Sequence, residues 1–126
     1  MQAKVVSSTA APAAIGPYSQ AIVFDKFVFT SGQIPLTAEG QLVGEGIVEQ
    51  AEQSLRNLEA VLKAAGSSLN QVVKTTVFLQ DMNDFATVNE IYSRFFSEHK
   101  PARSAVQVAR LPKDVKIEIE AVAYLG

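Results

Sequence analysis

Three stretches of the chain hold side chains that chemistry can use. Pro101–Ala121, PARSAVQVARLPKDVKIEIEA, opens a strand at Arg103 and carries Glu118 in the middle of the next. A guanidinium is a flat fork whose parallel N–H groups match a carboxylate and fix both its position and its plane. A glutamate near such a site can hold a water or take its proton. If these strands are neighbours, Arg103 meets Glu118 across the sheet, either around a ligand or simply as an ion pair with Glu118 or Glu120. Thr30–Pro35, TSGQIP, leads from a strand end into small polar residues, a glycine and a proline, a loop able to aim N–H groups and hydroxyls at a ligand. Ala14–Gln20, AIGPYSQ, fixes a turn at Gly16-Pro17 and sets Tyr18 directly after it. Residue types alone favour packing roles for the last two: an ordinary strand exit, and a tyrosine whose ring caps the core while its hydroxyl stays wet.

The rest of the inventory excludes much. The chain has 126 residues, 48% hydrophobic and 19% charged, which suits one domain over 1–126 with a core that needs no staple. There is no cysteine, so thiol catalysis, disulfides and Cys-based metal sites are excluded. The single histidine, His99, excludes a multi-histidine metal centre within one chain. Neither a phosphate-cradling GxxxxGKS/T loop nor GxGxxG occurs. A net charge of −2 with four arginines argues against a broad nucleic-acid surface. There is no apolar run of spanning length and no charged-then-apolar leader, so the expectation is a soluble cytoplasmic protein without membrane contact. His99 is expected at the end of a helix, where a cation is favourable, and Glu45, Glu49 and Glu52 on a solvated face near a helix start. Arg110, Lys113 and Asp114 are expected to form a solvated turn around Pro112.

The elements that must position these groups are readable. Ile47, Ala51, Leu55, Leu58, Leu62 and Ala65 share one face at helical spacing, with Gly66 placed as a C-terminal cap. A second helix starts in the Asp81–Asp84 cluster, turns Phe85, Val88, Tyr92 and Phe95 or Phe96 inward, and stops before Pro101. Gln20–Phe24 and Phe27–Thr30 flank Asp25-Lys26, a two-residue hairpin link that lacks the favoured glycine. Val72–Leu79 and Ala102–Val108 read as strands, and Val115–Tyr124 alternates cleanly. Ser7–Gly16, SSTAAPAAIG, reads as an ordered loop or a flexible arm. The order predicts an α+β fold, one sheet with both helices on one face. The other face, expected to carry Val72, Thr76 and Phe78 or their neighbours, is too apolar to stay in water and predicts burial by another subunit.

AAIGPYSQA, TSGQIPLT, VVKTTVFLQDMNDFATVNEIY and KPARSAVQVARLPKDVKIEIEAVA, in this order from Ala11 to Ala123, resemble the reactive intermediate deaminase family, also called RidA or YjgF. The resemblance implies a chorismate-mutase-like α+β fold and a homotrimer with sites in clefts between subunits. It implies hydrolysis of 2-imino acids, such as 2-iminobutanoate and 2-iminopropanoate, to 2-oxo acids and ammonia, with no metal or organic cofactor. Matched residue by residue, Arg103 grips the substrate carboxylate, Glu118 positions the attacking water and Tyr18 is the site tyrosine. Ser31 and Gly32 line the pocket, and Asn89 is the asparagine of the second helix associated with it. Ala105 stands where many members have cysteine, on the substrate-binding wall, so no thiol-dependent property carries over. Some members bear the labels endoribonuclease or translation inhibitor. A non-catalytic binder of small carboxylates is the remaining alternative; it would need Arg103 but not Glu118.

Overall fold

The computed structural model describes residues 2–126. The predicted hairpin forms: β2 (Ala21–Phe24) and β3 (Phe27–Thr30) pair antiparallel, with Phe24 opposite Phe27. The missing glycine is replaced by Asp25, which takes the left-handed conformation at φ 56°, a region aspartate tolerates better than most side chains. Ahead of the hairpin, β1 (Lys4–Val6) adds an edge strand. Three residues are too short for any alternation to announce a strand, and the sequence reading has none there. The Ser7–Gly16 segment is an ordered loop. Buried Gln20 accepts the Ser8 N–H at 2.6 Å and donates to the Ser8 and Pro12 carbonyls at 3.1 and 2.7 Å.

Helix α1 (Ile47–Ala64) buries Ala51, Leu55, Leu58, Val61 and Leu62, and Gly66 follows it at φ +87°. At its start the Glu49 carboxylate accepts the Gly46 N–H at 2.7 Å, which satisfies a donor the helix cannot. The same helix also buries two amides. Gln50 accepts from the Lys116 N–H and donates to the Gly44 carbonyl, and Asn57 donates to the Ile34 and Leu36 carbonyls. These bonds pin the 34–44 loop to the helix. Helix α2 (Phe85–Phe95) follows a short turn in which Asp81 accepts the Asn83 N–H. It buries Val88, Ile91 and Tyr92, with Phe96 just beyond it. Val88, Tyr92 and Phe96 are thus inward as expected, with Ile91 added; Phe85 and Phe95 are half-buried and pack against the same core.

Six strands form one sheet in the order β1-β2-β3-β6-β4-β5, where β4 is Val72–Leu79, β5 Ala102–Gln107 and β6 Ile117–Tyr124. All pairs are antiparallel except β4 and β5, which run parallel because α2 carries the chain back between them. The architecture is α+β, with both helices on one face of the sheet. On β6, Ile117, Ile119, Ala121 and Ala123 are buried beneath the helices. Their neighbours Glu118, Glu120, Val122 and Tyr124 point to the other side. Two expectations need correcting. Val72 lies in the core, because a bulge between Val72 and Lys74 resets the alternation and leaves Lys74, Thr76 and Phe78 on the open face. And β5 is not beside β6: β4 separates them, so no ion pair joins Arg103 to Glu118 or Glu120.

The open face is apolar. Phe24, Phe27 and Phe29 are 44–46% exposed, and Tyr124 and Val106 lie on the same side at 40 and 42%. A sheet face of this composition does not stay in contact with water without a penalty.

Candidate active site

All of the sequence-predicted residues but Ala105 fall into two clefts. The first, of about 450 Å³, is lined by Ile15, Tyr18, Ser31, Gly32, Ile34 and Glu118, among others. Its loops are tied to each other and to β6. Gly16 at φ +117° bends the chain so that the Tyr18 N–H reaches the Gly16 carbonyl at 2.9 Å. Tyr18 is 53% exposed, so its ring does not cap the core; it stands on the cleft wall. The Ser31 hydroxyl donates to the Ser19 carbonyl at 2.6 Å, and the Ser31 N–H to the Gln20 carbonyl at 2.9 Å. Ser31 therefore joins the two loops, with its proton already committed. Gln33 exchanges backbone hydrogen bonds with Ile119, at 2.7 and 3.1 Å, and so sets the loop beside Glu118. Gly32 is the residue this contact requires. A Cβ there would overlap the Glu118 carboxylate, so only glycine lets that carboxylate lie against the loop backbone.

Glu118 is half-buried and has no cationic partner among the described residues. Burial, and secondarily the charge of Glu120, pushes its carboxyl above the usual carboxylate range. Such a group is a better proton acceptor near neutral pH than an ordinary glutamate.

The second cleft, of about 370 Å³, lies at the helix side of the β5 edge and holds Asn89, Tyr92, Lys100 and Arg103. Asn89 Oδ1 accepts from Arg103 Nη1 at 2.7 Å. The guanidinium carbon lies 4.8 Å from the centre of the Tyr92 ring and 5.3 Å from that of Phe85. No carboxylate among the described residues pairs with Arg103. Ala105 follows two residues along β5 on the same side, opposite Val77, and packs against the core.

The structure thus unites Tyr18, Ser31, Gly32 and Glu118, and separately Arg103 and Asn89, while Ala105 lies further along β5 outside that cleft. Within one chain it does not bring Arg103 to Glu118. Arg103 is in register with Thr75, and Thr75 with Ala121, while Glu118 is in register with Phe78. The two groups are offset along the strands and point to opposite faces of the sheet. His99, expected at a helix end, lies four residues past α2 with its ring nitrogen on the Val72 carbonyl. Arg110 and Asp114 form the expected solvated turn, joined at 2.6 Å. Tyr92 and Phe85 touch the Arg103 guanidinium and Thr75 is hydrogen-bonded to Tyr92, neighbours the sequence reading missed. Their helical and strand periodicity marks them as core, and only the packing of α2 against β5 shows what lies on the ring. Among the described residues no three His, Cys, Asp or Glu side chains gather as a metal site would, and no helix is long and apolar enough to cross a membrane.

Comparison with known proteins bears on the family and the fold. Residues 8–125 match the family described as Endoribonuclease L-PSP. The 2-iminobutanoate/2-iminopropanoate deaminase of Mus musculus is 58% identical over 124 residues, 98% of this chain and 92% of that protein. The protein of the same name from Salmonella typhimurium is 55% identical over 95% of this chain and 96% of its own length. The crystal structure of E. coli TdcF with bound serine superimposes with a TM-score of 0.93 at 50% identity, covering 98% of this chain and 99% of that one.

Proposed function

The chain belongs to the Endoribonuclease L-PSP (YjgF/RidA) family, and from that premise we propose that it is a single-domain 2-iminobutanoate/2-iminopropanoate deaminase. It hydrolyses reactive 2-imino acids to 2-oxo acids and ammonia. The observation that carries this reading is Arg103: a half-buried cation, held in place, with no acid among the described residues to pair with. A fork left free in a cleft suits a substrate carboxylate.

The reaction asks for placement and proton transfer. Arg103 holds the carboxylate, which turns the protonated imine carbon toward a water on Glu118. As the water oxygen bonds to that carbon, Glu118 takes its proton. The C=N pair of electrons moves to nitrogen and gives a carbinolamine. Glu118 returns the proton to the amine nitrogen; the C–N bond then breaks, ammonia leaves, and the hydroxyl proton passes to the Glu118 carboxylate, and from it to solvent, as the carbonyl forms. A positioned base of this kind contributes on the order of 10²–10⁴ in rate. Ser31, Gly32 and Tyr18 line the cleft around the water, and Asn89 completes the wall at the carboxylate end, with Ala105 further along β5.

One chain holds the two halves of this machinery on opposite sides of its sheet. We therefore place the site between subunits of a homotrimer, where one protomer's Arg103 faces another's Glu118. The uncovered aromatic face supports such an assembly. Imines hydrolyse unaided in water, so their enzyme must share the compartment of the dehydratases that release them, here the cytoplasm.

Ribonuclease chemistry, the other label in the family, finds less support: the net charge is −2 and the single histidine is engaged at a backbone carbonyl. The test is a coupled assay in which a threonine dehydratase generates 2-iminobutanoate and release of 2-oxobutanoate is followed. Adding the protein should speed release severalfold; an unchanged rate would overturn the deaminase reading.

A further inference from the structure

Arginine side chains that bind ligands face a conflict. Left alone, the guanidinium samples many rotamers; tied to an acid, it is fixed but its donors are already used. The second cleft resolves this conflict without a carboxylate. Tyr92 is 7% exposed, its hydroxyl is hydrogen-bonded to Thr75 Oγ1 at 2.7 Å, and its ring packs on Phe96 at 4.7 Å between centroids. It is thus fixed from β4 on one side and from the end of α2 on another. The face left over is the one Arg103 lies against. Phe85, one helical turn before Asn89, presents a second ring to the same guanidinium. Among the described residues only one polar bond, from Nη1 to Asn89, uses a donor of the guanidinium.

Resting on the reading of Arg103 as the carboxylate fork, we infer that Tyr92, with Phe85 beside it, is a positioning residue: a π platform that orients the guanidinium and leaves its N–H edges free for the substrate carboxylate. Stacking engages the face of the guanidinium, whereas a carboxylate is bound at its edge, so platform and ligand do not compete. The ring acts as a neutral π surface, because burial raises the tyrosine's ionisation above its ordinary range. The Thr75–Tyr92 bond is buried, which makes the platform part of the core and keeps the fork in place before any ligand arrives.

The test uses the full-length protein and two readouts: NMR of the Arg103 side-chain Nε–H group without ligand, and affinity for 2-oxobutanoate, the stable product that shares the carboxylate. In Tyr92→Leu the Nε–H signal should lose its ring-current shift and its order. Affinity should fall about tenfold, and KM should rise by a similar factor with kcat changed less than about twofold. Tyr92→Phe, which keeps the ring, should rescue most of the affinity. Phe85→Leu, at a half-buried position, should weaken binding about threefold; it carries the test if Tyr92→Leu does not fold. A folded Tyr92→Leu, or in its place a folded Phe85→Leu, with unchanged Arg103 signal and affinity would overturn the platform. The ligand-free NMR readout keeps this separate from the deaminase reading: loss of Arg103 order in a protein that leaves imine hydrolysis unaccelerated supports the platform and overturns the activity.

Discussion

The two clefts hold opposite charges by opposite means. Arg103 sits near the edge of the sheet, clamped by rings and an amide, with part of its surface open. Glu118 sits on a central strand against the backbone of a loop, short of water and with another glutamate nearby. The cation is oriented but not neutralised, which suits recognition of an anion. The carboxylate is desolvated and not paired, which suits a group that must accept and return a proton. On the proposed reading, recognition and proton transfer use different physical devices, each built on a different face of one sheet.

That contrast can be broken residue by residue. The largest effect should come from Glu118→Gln, which keeps shape and removes basicity. The turnover of imine should drop by about 10²–10⁴ while 2-oxobutanoate still binds; steady-state kinetics beside calorimetry would check both. Gly32→Ala should approach this loss, by roughly 10², because the new methyl drives the Glu118 carboxylate from its place. A crystal structure of that variant should show the carboxylate displaced. Arg103→Lys attacks the other cleft. One ammonium does not reproduce the fork, so kcat/KM should fall by about 10–10² with normal folding, measured by the coupled assay and circular dichroism.

The smallest effect concerns stability and sharpens the contrast between a desolvated and a clamped charge. The Glu118 carboxyl titrates higher in the fold than in the unfolded chain. The proton therefore favours the fold: this contribution is complete below the ordinary glutamate value, near 4.5, and is lost as pH rises through the raised one. The permanently neutral Glu118→Gln should melt a degree or so above the parent at pH 7, and that margin should vanish near pH 4. Scanning calorimetry at the two pH values would show it.

Much of this was legible before any coordinates. The hairpin, the α1 stripe and the alternation of β6 follow from local periodicity, since a helix or strand must bury one side whatever it packs against. Tyr18, Ser31, Gly32 and Glu118 lie in motifs whose resemblance named them together, and the structure gathers all four. The α2 stripe of Val88, Tyr92 and Phe96 follows from the same periodicity, and only the choice between Phe95 and Phe96 needed the structure. Val72 was placed on the wrong face because a bulge leaves no mark in the residue types.

The sequence by itself determined that an arginine fork and a glutamate stand on consecutive strands with no cysteine or histidine cluster to do other chemistry. It also determined the two-faced sheet and the short helix that reverses the chain between β4 and β5. Tertiary structure alone decided that β4 lies between those consecutive strands, and that Arg103 and Glu118 consequently occupy opposite faces. Side-chain alternation is a local property of each strand, whereas strand order is settled by which long-range pairing buries the most surface, and no spacing along the chain records that choice.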